Sequence, residues 1–367
     1  MGRVIKRFGI EYEIHVLKPD MSPAIDAVSD FLSQGYSGYN SEQHADVLEI
    51  QTEPLPPYYL ENLEDNIREK LTFFREKSDS VKFLGLGTHP YKTIEDIVIP
   101  DTGRYNDVID SLNPDVTPLE GLTAGIHINI EMEDDEELIS CFNNSIMVEP
   151  YIIALGASSR FILGCDTEMS EARLPLIEKT LWADNRTGIP DYIDSLETYI
   201  RKINNLQHLD FEISSDIDYR MSTDWHDVRI RKNEDNTYRC EFRAVPQQPD
   251  ISESVSLIAF YIGWINKACS EKKQLEPYEQ VIDKYRKAIK SGIKAFKYDE
   301  LYEQIKYAEE GLKSLGISPA ILNKTYKRLS SGINVSDEFA EKVYIMAGYN
   351  SFADSIKYVA KGYCLEL

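Results

Sequence analysis

Pairs of ionisable or amide side chains stand two residues apart in three short segments of this sequence. Because side chains alternate between the two faces of a β-strand, both members of a pair would point the same way. Apolar residues flank each pair, so each segment predicts a strand with one apolar and one polar face. A polar face often only meets water, but such faces usually carry Thr, Lys, Ser and Gln, so these side chains indicate a lined cleft. The pairs are Glu11 with Glu13, His127 with Asn129, and Glu241 with Arg243.

Two more acidic residues precede and enter a fourth apolar segment. Glu49 lies within DVLEIQTE at 46–53, which predicts another strand. Glu42 stands seven residues earlier, and an odd separation would put the two side chains on opposite faces of an unbroken strand. We therefore predict that Glu42 lies on the preceding loop, which bends it back to the same site. The candidate metal ligands are Glu11, Glu13, Glu42, Glu49, His127 and Glu241.

The composition of this set predicts a cation site beside a phosphate site. Carboxylates gathered in one cleft repel each other and must take up protons or bind cations. Oxygen ligands with one imidazole suit Mg²⁺ or Mn²⁺, whereas zinc would want more His or Cys. Arg229 and Arg243 could bind phosphate through two hydrogen bonds each. Metal-holding carboxylates with arginines describe a phosphoryl-transfer site. The sequence has no GxxxxGK[ST] loop, so ATP would bind on a sheet.

The elements that position these residues follow from the hydrophobic pattern. Strands are predicted at 7–17, 46–53, 81–91, 124–133 and 238–246, and helices at 58–77, within 134–205 and at 251–270. No regular βαβ alternation appears, so we predict an α+β fold with a largely antiparallel sheet and helices on its outer face. Residues 276–361 read as wholly helical. We therefore divide the chain into a catalytic domain at 1–272 and a helical C-terminal region at 273–367 packed on it.

Composition narrows the class of partner. The chain of 367 residues has 40 Lys and Arg against 62 Asp and Glu, a formal charge of −22. A field of that sign repels phosphate backbones and anionic lipid, so we expect neither nucleic acid nor membrane as a partner. No apolar run reaches the roughly 18 residues of a membrane span. Five scattered cysteines without a CxxC pair indicate reduced thiols and a cytoplasmic protein.

Taken in order over about 1–250, these segments resemble the second family of glutamate–cysteine ligases, also called carboxylate–amine ligases. FGIEYEI is similar to the opening metal-binding strand of that family, and AGIHINI to its histidine strand. The other segments with counterparts are GTHPY (87–91), ALGASSRFILGCDT (154–167), NRTGIP (185–190), DVRI and YRCEFRAV. Three departures from the bacterial branch leave the metal ligands in place and bear on the amino-acid substrates. They are Tyr12 between the first two acids, Asn129 where a second His is common, and SEAR at 170–173.

The resemblance implies a curved, glutamine synthetase-like sheet that lines the active site. It implies that Arg229 and Arg243 are catalytic, and that His127, Asn129 and Arg229 meet the nucleotide phosphates. Arg173 and Arg186 would bind the substrate.

The implied activity is an ATP- and Mg²⁺-dependent ligase that joins a carboxylate to an amine through an acyl phosphate. The best-known pair is the γ-carboxylate of glutamate and cysteine. ATP and small amino-acid-like molecules would be the partners, and a homo-oligomer is compatible with the pattern. Two alternatives stay open: a small-molecule kinase on a similar sheet, and a nucleotide-binding regulator without turnover. The presence of every proposed metal ligand argues against the regulator.

Overall fold

The structure is a computed structural model that describes residues 4–78, 80–100, 106, 108–110, 112–181, 186–206 and 217–367. Its described residues contain a seven-stranded antiparallel sheet. The seven strands of this sheet are β1 (Ile5–Leu17), β2 (Tyr39–Ser41), β3 (Val47–Gln51), β4 (Lys82–Leu84), β5 (Gly125–Met132), β10 (Val228–Lys232) and β11 (Tyr238–Pro246). Two pairs of short strands lie outside it: β6 (Phe161–Ile162) with β7 (Cys165–Asp166), and β8 (Thr187–Gly188) with β9 (Trp225–His226). The order across the large sheet is β10-β11-β5-β1-β3-β2, and β4 also pairs with β1.

Helices surround this sheet and make up most of the C-terminal region. They are α1 (Ile25–Leu32), α2 (Leu63–Lys77), α3 (Asp135–Gly156), α4 (Arg173–Thr180), α5 (Leu196–Asn205), α6 (Ile217–Ser222), α7 (Ile251–Ser270), α8 (Tyr278–Ser291), α9 (Tyr298–Ser314), α10 (Asn323–Ser331), α11 (Val335–Ala347) and α12 (Phe352–Ala360). The predicted α+β class with an antiparallel sheet is confirmed. In the described residues the last strand, β11, ends at Pro246, and only helices and turns follow it.

One face of the sheet is apolar and lies against α3 and α7. Tyr12, Ile128 and Phe242 point to this side and are fully buried. The Phe242 ring stacks on Tyr261 of α7 at a centroid distance of 4.4 Å. The alternation read from the sequence therefore separates the two faces correctly, because burying one face requires a fixed register along every strand.

Helix α3 forms the centre of the apolar layer. Its N-terminus is capped by Asp134, whose side chain accepts a hydrogen bond from the Glu137 amide. Among the described residues, this 22-residue helix is the one that is long and apolar enough to cross a membrane. The sequence pattern had shown no apolar run of that length. Its most apolar window is 94% buried inside the protein, which is typical of a core helix.

The C-terminal helices extend the same hydrophobic core. Helix α9 approaches α7 closely at Gly263, where a Cβ atom would clash with the Ala308 carbonyl. Leu301 and Ile305 of α9 belong to the core cluster that includes the apolar face of the sheet. The boundary at 272/273 stays a prediction.

The third strand is shorter than the pattern indicates. Residues 81–91 were expected to be extended, but β4 ends at Leu84. A Cβ atom at Gly85 would overlap the backbone of Gln248 and Pro249, so the chain passes very close to that segment, and the Gly85 amide donates to the Tyr363 carbonyl at 2.9 Å. The segment beyond packs His89 into the interior instead.

Candidate functional site

Strand register brings the predicted ligands together on the polar face. In the β1–β5 pair Glu11 is opposite His127, and in the β1–β3 pair Glu13 is opposite Glu49. Glu241 on β11 faces Asn129 on one side and Arg229 of β10 on the other. Five strands thus present their functional side chains in a single row.

His127 joins the carboxylates of β1. Its Nδ1 lies 2.9 Å from Glu11 Oε2, and its Nε2 lies 3.3 Å from Glu13 Oε1. Burial and the charge of Glu241 act to raise the pKa of Glu11, but the His127 hydrogen bond and the Arg229 charge outweigh them and lower it. The second Glu13 oxygen accepts a 2.7 Å hydrogen bond from the Gly125 amide. Both carboxylates are therefore held in place by protein donors.

Glu42 and Glu49 form the electrostatically least compensated corner of the site. Glu42 follows β2 and lines the same cavity as Glu49, as the odd spacing of the two residues predicted. Burial and the charges of Glu49 and Glu13 raise the pKa of Glu42 well above its ordinary value. Burial and the Glu11 charge raise the pKa of Glu49, although Asn40 and Gln51 donate to its Oε1 at 3.0 and 2.8 Å. A bound cation would relieve both groups.

Arginines surround Glu241 at the other end of the row. Arg229 Nη2 and Arg243 Nη1 donate to Glu241 Oε1 at 2.7 and 2.9 Å. Burial opposes ionisation, but these two charges hold the pKa of Glu241 well below its usual range. Burial lowers the pKa of Arg229 to about 10, whereas for Arg243 the opposite pull of Glu241 wins and raises the pKa. The guanidiniums therefore stay charged at neutral pH.

The row of residues lines a cavity of about 490 Å³. Carboxylates from β1, β3 and the β2–β3 hairpin occupy one end, and arginines from β10 and β11 occupy the other. The charged residues that line it are Glu11, Glu13, Glu42, Glu49, Glu120, Arg229, Arg231, Arg239 and Arg243. The charge separation leaves one end suited to metal cations and the other to phosphate.

Two sets of ligand atoms are close enough to share an ion. One set comes from Glu11, His127 and Glu241, and the other from Glu13, Glu49 and His127; within each set the atoms lie within 4.8 Å of one another. Glu241 Oε2 is buried without a hydrogen-bond partner among the described residues, with Arg231 3.9 Å away. This orphaned oxygen and the oxygen-rich donor sets fit Mg²⁺ or Mn²⁺.

A second cavity of about 710 Å³ adjoins the first and shares Glu11, Gln51 and Arg239 with it. Asn129 lines this larger cavity, donates to Glu11 Oε1 at 3.1 Å and accepts from Arg239 at 2.7 Å. His127 lines the smaller cavity. Of the three residues predicted to meet nucleotide phosphates, Asn129 thus lines the larger cavity, and His127 and Arg229 line the smaller one.

The two predicted substrate-binding arginines lie outside both cavities. Arg173 is buried, donates to the Arg243 carbonyl at 3.3 Å and lies 3.5 Å from Glu171. Arg186 is buried too, and its Nη1 donates to Thr223 Oγ1 at 2.6 Å. The structure therefore places both behind residues that line the smaller cavity.

Four site residues were missed by the sequence reasoning. Arg231, Arg239 and Gln51 stand two residues from Arg229, Glu241 and Glu49, so the same alternation could have identified them. Glu120 lies on a 3₁₀ turn at Thr117–Leu122, where no period marks the direction of a side chain. Only its closeness in sequence to the histidine strand could have drawn attention to it.

Comparison with known proteins identifies the family of the chain. The family model described as glutamate–cysteine ligase family 2 matches residues 7–350. A relative from Solibacter usitatus, named as a glutamate–cysteine ligase 2, is 27% identical over 173 residues, or 46% of this chain and 42% of that protein. A protein of the same name from Roseiflexus sp. is 25% identical over 202 residues, covering 54% of this chain and 52% of that protein. The chain thus spans about half the length of the relatives it matches.

Two solved structures share the fold. A glutamate–cysteine ligase from Francisella tularensis in complex with AMP superposes with a TM-score of 0.68 at 11% identity, covering 99% of this chain and 89% of the other. A bifunctional glutathione synthetase from Pasteurella multocida superposes with a TM-score of 0.65 at 13% identity, covering 98% of this chain and 52% of the other. At these identities the likeness concerns the fold alone.

Proposed function

The chain belongs to glutamate–cysteine ligase family 2, and we propose that it is an ATP- and Mg²⁺-dependent ligase that joins a carboxylate to an amine. The donor we propose is the γ-carboxylate of glutamate, and the acceptor is an amine such as cysteine. The observation that carries this proposal is the charge-separated cavity, with carboxylates at one end and arginines at the other on one sheet face. We also propose a cytoplasmic location, in keeping with five free thiols.

The chemistry explains why such a cavity is needed. A carboxylate does not react with an amine in water, since oxide would have to leave. In the first step a carboxylate oxygen attacks the γ-phosphorus of ATP, the bond to the β-phosphate oxygen breaks, and ADP leaves with that electron pair. In the second step the amine nitrogen attacks the acyl carbon, inorganic phosphate leaves, and the nitrogen releases a proton as the amide forms.

The residues proposed to hold the metal ions are Glu11, Glu13, Glu42, Glu49, His127 and Glu241. Bound Mg²⁺ would supply positive charge that lets an anionic triphosphate and an anionic carboxylate approach each other. The chain itself contributes the fixed orientation of these ligands. Glu13 is held by the Gly125 amide, and Glu49 by Asn40 and Gln51.

Arg229 and Arg243 are proposed to stabilise charge on the phosphoryl group during transfer. Each donates to Glu241 through one nitrogen, and Arg229 Nη1 also donates to the Asp224 carbonyl at 2.7 Å, so among the described residues Arg243 keeps more N–H groups for phosphate oxygens than Arg229 does. His127, Asn129 and Arg229 would contact the nucleotide phosphates. The base and ribose would then occupy the 710 Å³ cavity beyond Asn129. An AMP complex is known for the Francisella relative, which supports nucleotide binding by this fold.

Arg173 and Arg186 lie behind the cavity lining, so any role in substrate binding would be indirect. Arg173 contacts the Arg243 carbonyl, and Arg186 contacts Thr223, which lines the cavity. A contribution to substrate binding by either arginine would therefore act through these neighbours.

Hydroxylamine trapping tests the acyl phosphate directly. With L-glutamate, ATP and Mg²⁺, hydroxylamine should give a hydroxamate without any amine acceptor, because it intercepts acyl phosphates. Arg243→Lys should suppress hydroxamate strongly, since lysine lacks the two-pronged contact to phosphate. A panel of amino acids and dicarboxylates extends the test to other donors.

The alternatives give different products. A kinase would form a stable phosphorylated compound and no hydroxamate, and a regulator would bind ATP without turnover. Nucleotide binding without hydroxamate from any acid in the panel would refute the ligase.

A further inference from the structure

Glu120 is a carboxylate in the site that the proposed chemistry has not used. Its turn, Thr117–Leu122, ends just before β5, and its side chain lines the cavity together with Arg243 and His127. It belongs to neither set of atoms that could share a metal ion. Among the described residues its carboxylate has no hydrogen-bond or ion-pair partner, and the nearby Arg243 donates to Glu241 instead.

The turn that carries Glu120 rests on a buried network of polar side chains. The Leu122 carbonyl accepts from the His89 amide at 2.8 Å and lies 3.2 Å from His15 Nε2. A Cβ atom at Gly121 would clash with the His44 ring, so the turn lies directly against that imidazole. Such close support from buried side chains fixes the position of the Glu120 backbone.

Beneath the turn, a lysine and an aspartate complete the support. Lys92 is 1% exposed and contacts both Asp46 and His44, the latter at 2.6 Å. Asp46 also lies 3.6 Å from His15 Nδ1. Buried ionisable side chains, including Lys92 and Asp46, therefore support the turn that carries Glu120.

The surroundings of Glu120 favour the binding of a cation by its carboxylate. Burial and the Glu13 charge raise its pKa to about 7, against the opposing pull of Arg243 and His127. Arg243 and His127 line the cavity next to Glu120, so the Glu120 carboxylate lies beside the end of the cavity where phosphate would be transferred. The amine that attacks an acyl phosphate must reach that end, and at neutral pH it arrives as an ammonium ion.

We propose that Glu120 binds the ammonium group of the acceptor amine and holds its nitrogen beside the acyl phosphate. This assignment rests on the proposed ligase function and specifies its second substrate as a primary amine that enters in the cationic form. The bound ammonium group must lose one proton to solvent before its nitrogen, which then has a free electron pair, attacks the acyl carbon. Glu120 is a substrate-binding residue of this second step and takes no part in phosphoryl transfer.

The test compares a charged and an uncharged nucleophile in the same protein. L-Cysteine carries an ammonium group, whereas hydroxylamine is neutral at pH 8. With L-glutamate, ATP and Mg²⁺, Glu120→Gln should lower kcat/KM for L-cysteine by about 10–100-fold, mainly through KM, as expected for loss of one charge-assisted hydrogen bond. Hydroxamate formation should stay within about twofold of wild type. Glu95→Gln, an exposed Glu-to-Gln change, should alter neither rate.

The outcomes separate this assignment from the proposed function. Equal loss with both nucleophiles, or no loss with L-cysteine, overturns the role of Glu120 while wild-type hydroxamate upholds the ligase. Absence of hydroxamate from the wild-type protein overturns both. If Glu120→Gln fails to fold, Glu120→Asp takes its place, because it keeps the charge but shortens its reach. An increased KM for L-cysteine with unchanged hydroxamate formation supports the assignment, and unchanged KM refutes it.

Discussion

Replacing Glu241 with Gln should destabilise the protein by a calculable amount. The carboxylate is 1% exposed and is the partner of Arg229 and Arg243 at 2.7 and 2.9 Å. The amide keeps the shape but leaves the buried Arg229 and the partly buried Arg243 without this counter-ion, which typically costs about 3–5 kcal/mol. With an unfolding entropy of about 2.1 cal/mol/K per residue, a chain of this length should lose about 4–6 °C in Tm.

The effect should also depend on pH in a defined direction. The folded pKa of Glu241 is depressed by the two arginines, so its stabilisation is present above the unfolded value of about 4.5 and is lost as pH falls through the folded value. The difference in Tm between wild type and Glu241→Gln should therefore be largest at neutral pH and shrink in acid. Thermal unfolding followed by circular dichroism without added metal, from pH 3 to 8, measures this difference.

A matched substitution at the acidic end of the cavity is the control. Glu42→Gln makes the same chemical change where burial and Glu49 already disfavour the charge, so Tm at pH 8 should stay equal or rise. The double variant Glu241→Gln with Arg229→Met should cost less than the two single changes together. Equal Tm shifts from both Glu-to-Gln changes, or a Glu241→Gln Tm within about 1 °C of wild type, would contradict this prediction.

Three further predictions follow from the same structure. Glu11→Gln or Glu13→Gln should leave the fold intact but lower turnover by several orders of magnitude; near-normal turnover at saturating Mg²⁺ would remove that residue from the site. Because the folded pKa of Glu120 is raised to about 7, wild-type stability should fall by about 2 kcal/mol as pH rises from 4.5 to 7, whereas Glu120→Gln should lack this slope in urea unfolding. Cys240 lies in the core, so Cys240→Ala should lower the free energy of unfolding by about 1–2 kcal/mol, whereas Cys165→Ala, at an exposed position, should lower it by less than about 0.5 kcal/mol. Loss of turnover in a folded Cys165→Ala protein would show that this thiol has a chemical role.

The row of site residues could be predicted because its signal is local. In β1, Glu11 and Glu13 alternate with buried Ile10, Tyr12 and Ile14, and a period of two residues can be read without knowing which strands are neighbours. Once the apolar face is buried, the polar face is determined as well. The odd spacing of Glu42 and Glu49 needed a turn between them, and the β2–β3 hairpin supplies it.

What the sequence could not show depends on packing. The family resemblance implied that Arg173 binds substrate. In the structure Arg173 is buried and donates to a backbone carbonyl of β11 instead. Glu120 stands on a 3₁₀ turn, where neither a helical nor a strand period applies. Lys92 and His44 meet only because the segment after β4 folds under the site, and no spacing of 48 residues encodes that contact.

The antiparallel register explains how one sheet face can hold opposite charges side by side. Glu241 lies between Arg229 and Asn129, so β11 separates the arginines of β10 from the carboxylates of β1. Asn129 bridges the two ends neutrally, because it donates to Glu11 and accepts from Arg239. A one-residue slip of β5 would turn His127 and Asn129 into the apolar core and remove this bridge. Charge separation in the cavity, and with it the proposed order of metal, phosphate and amine, is therefore a property of strand pairing as much as of residue type.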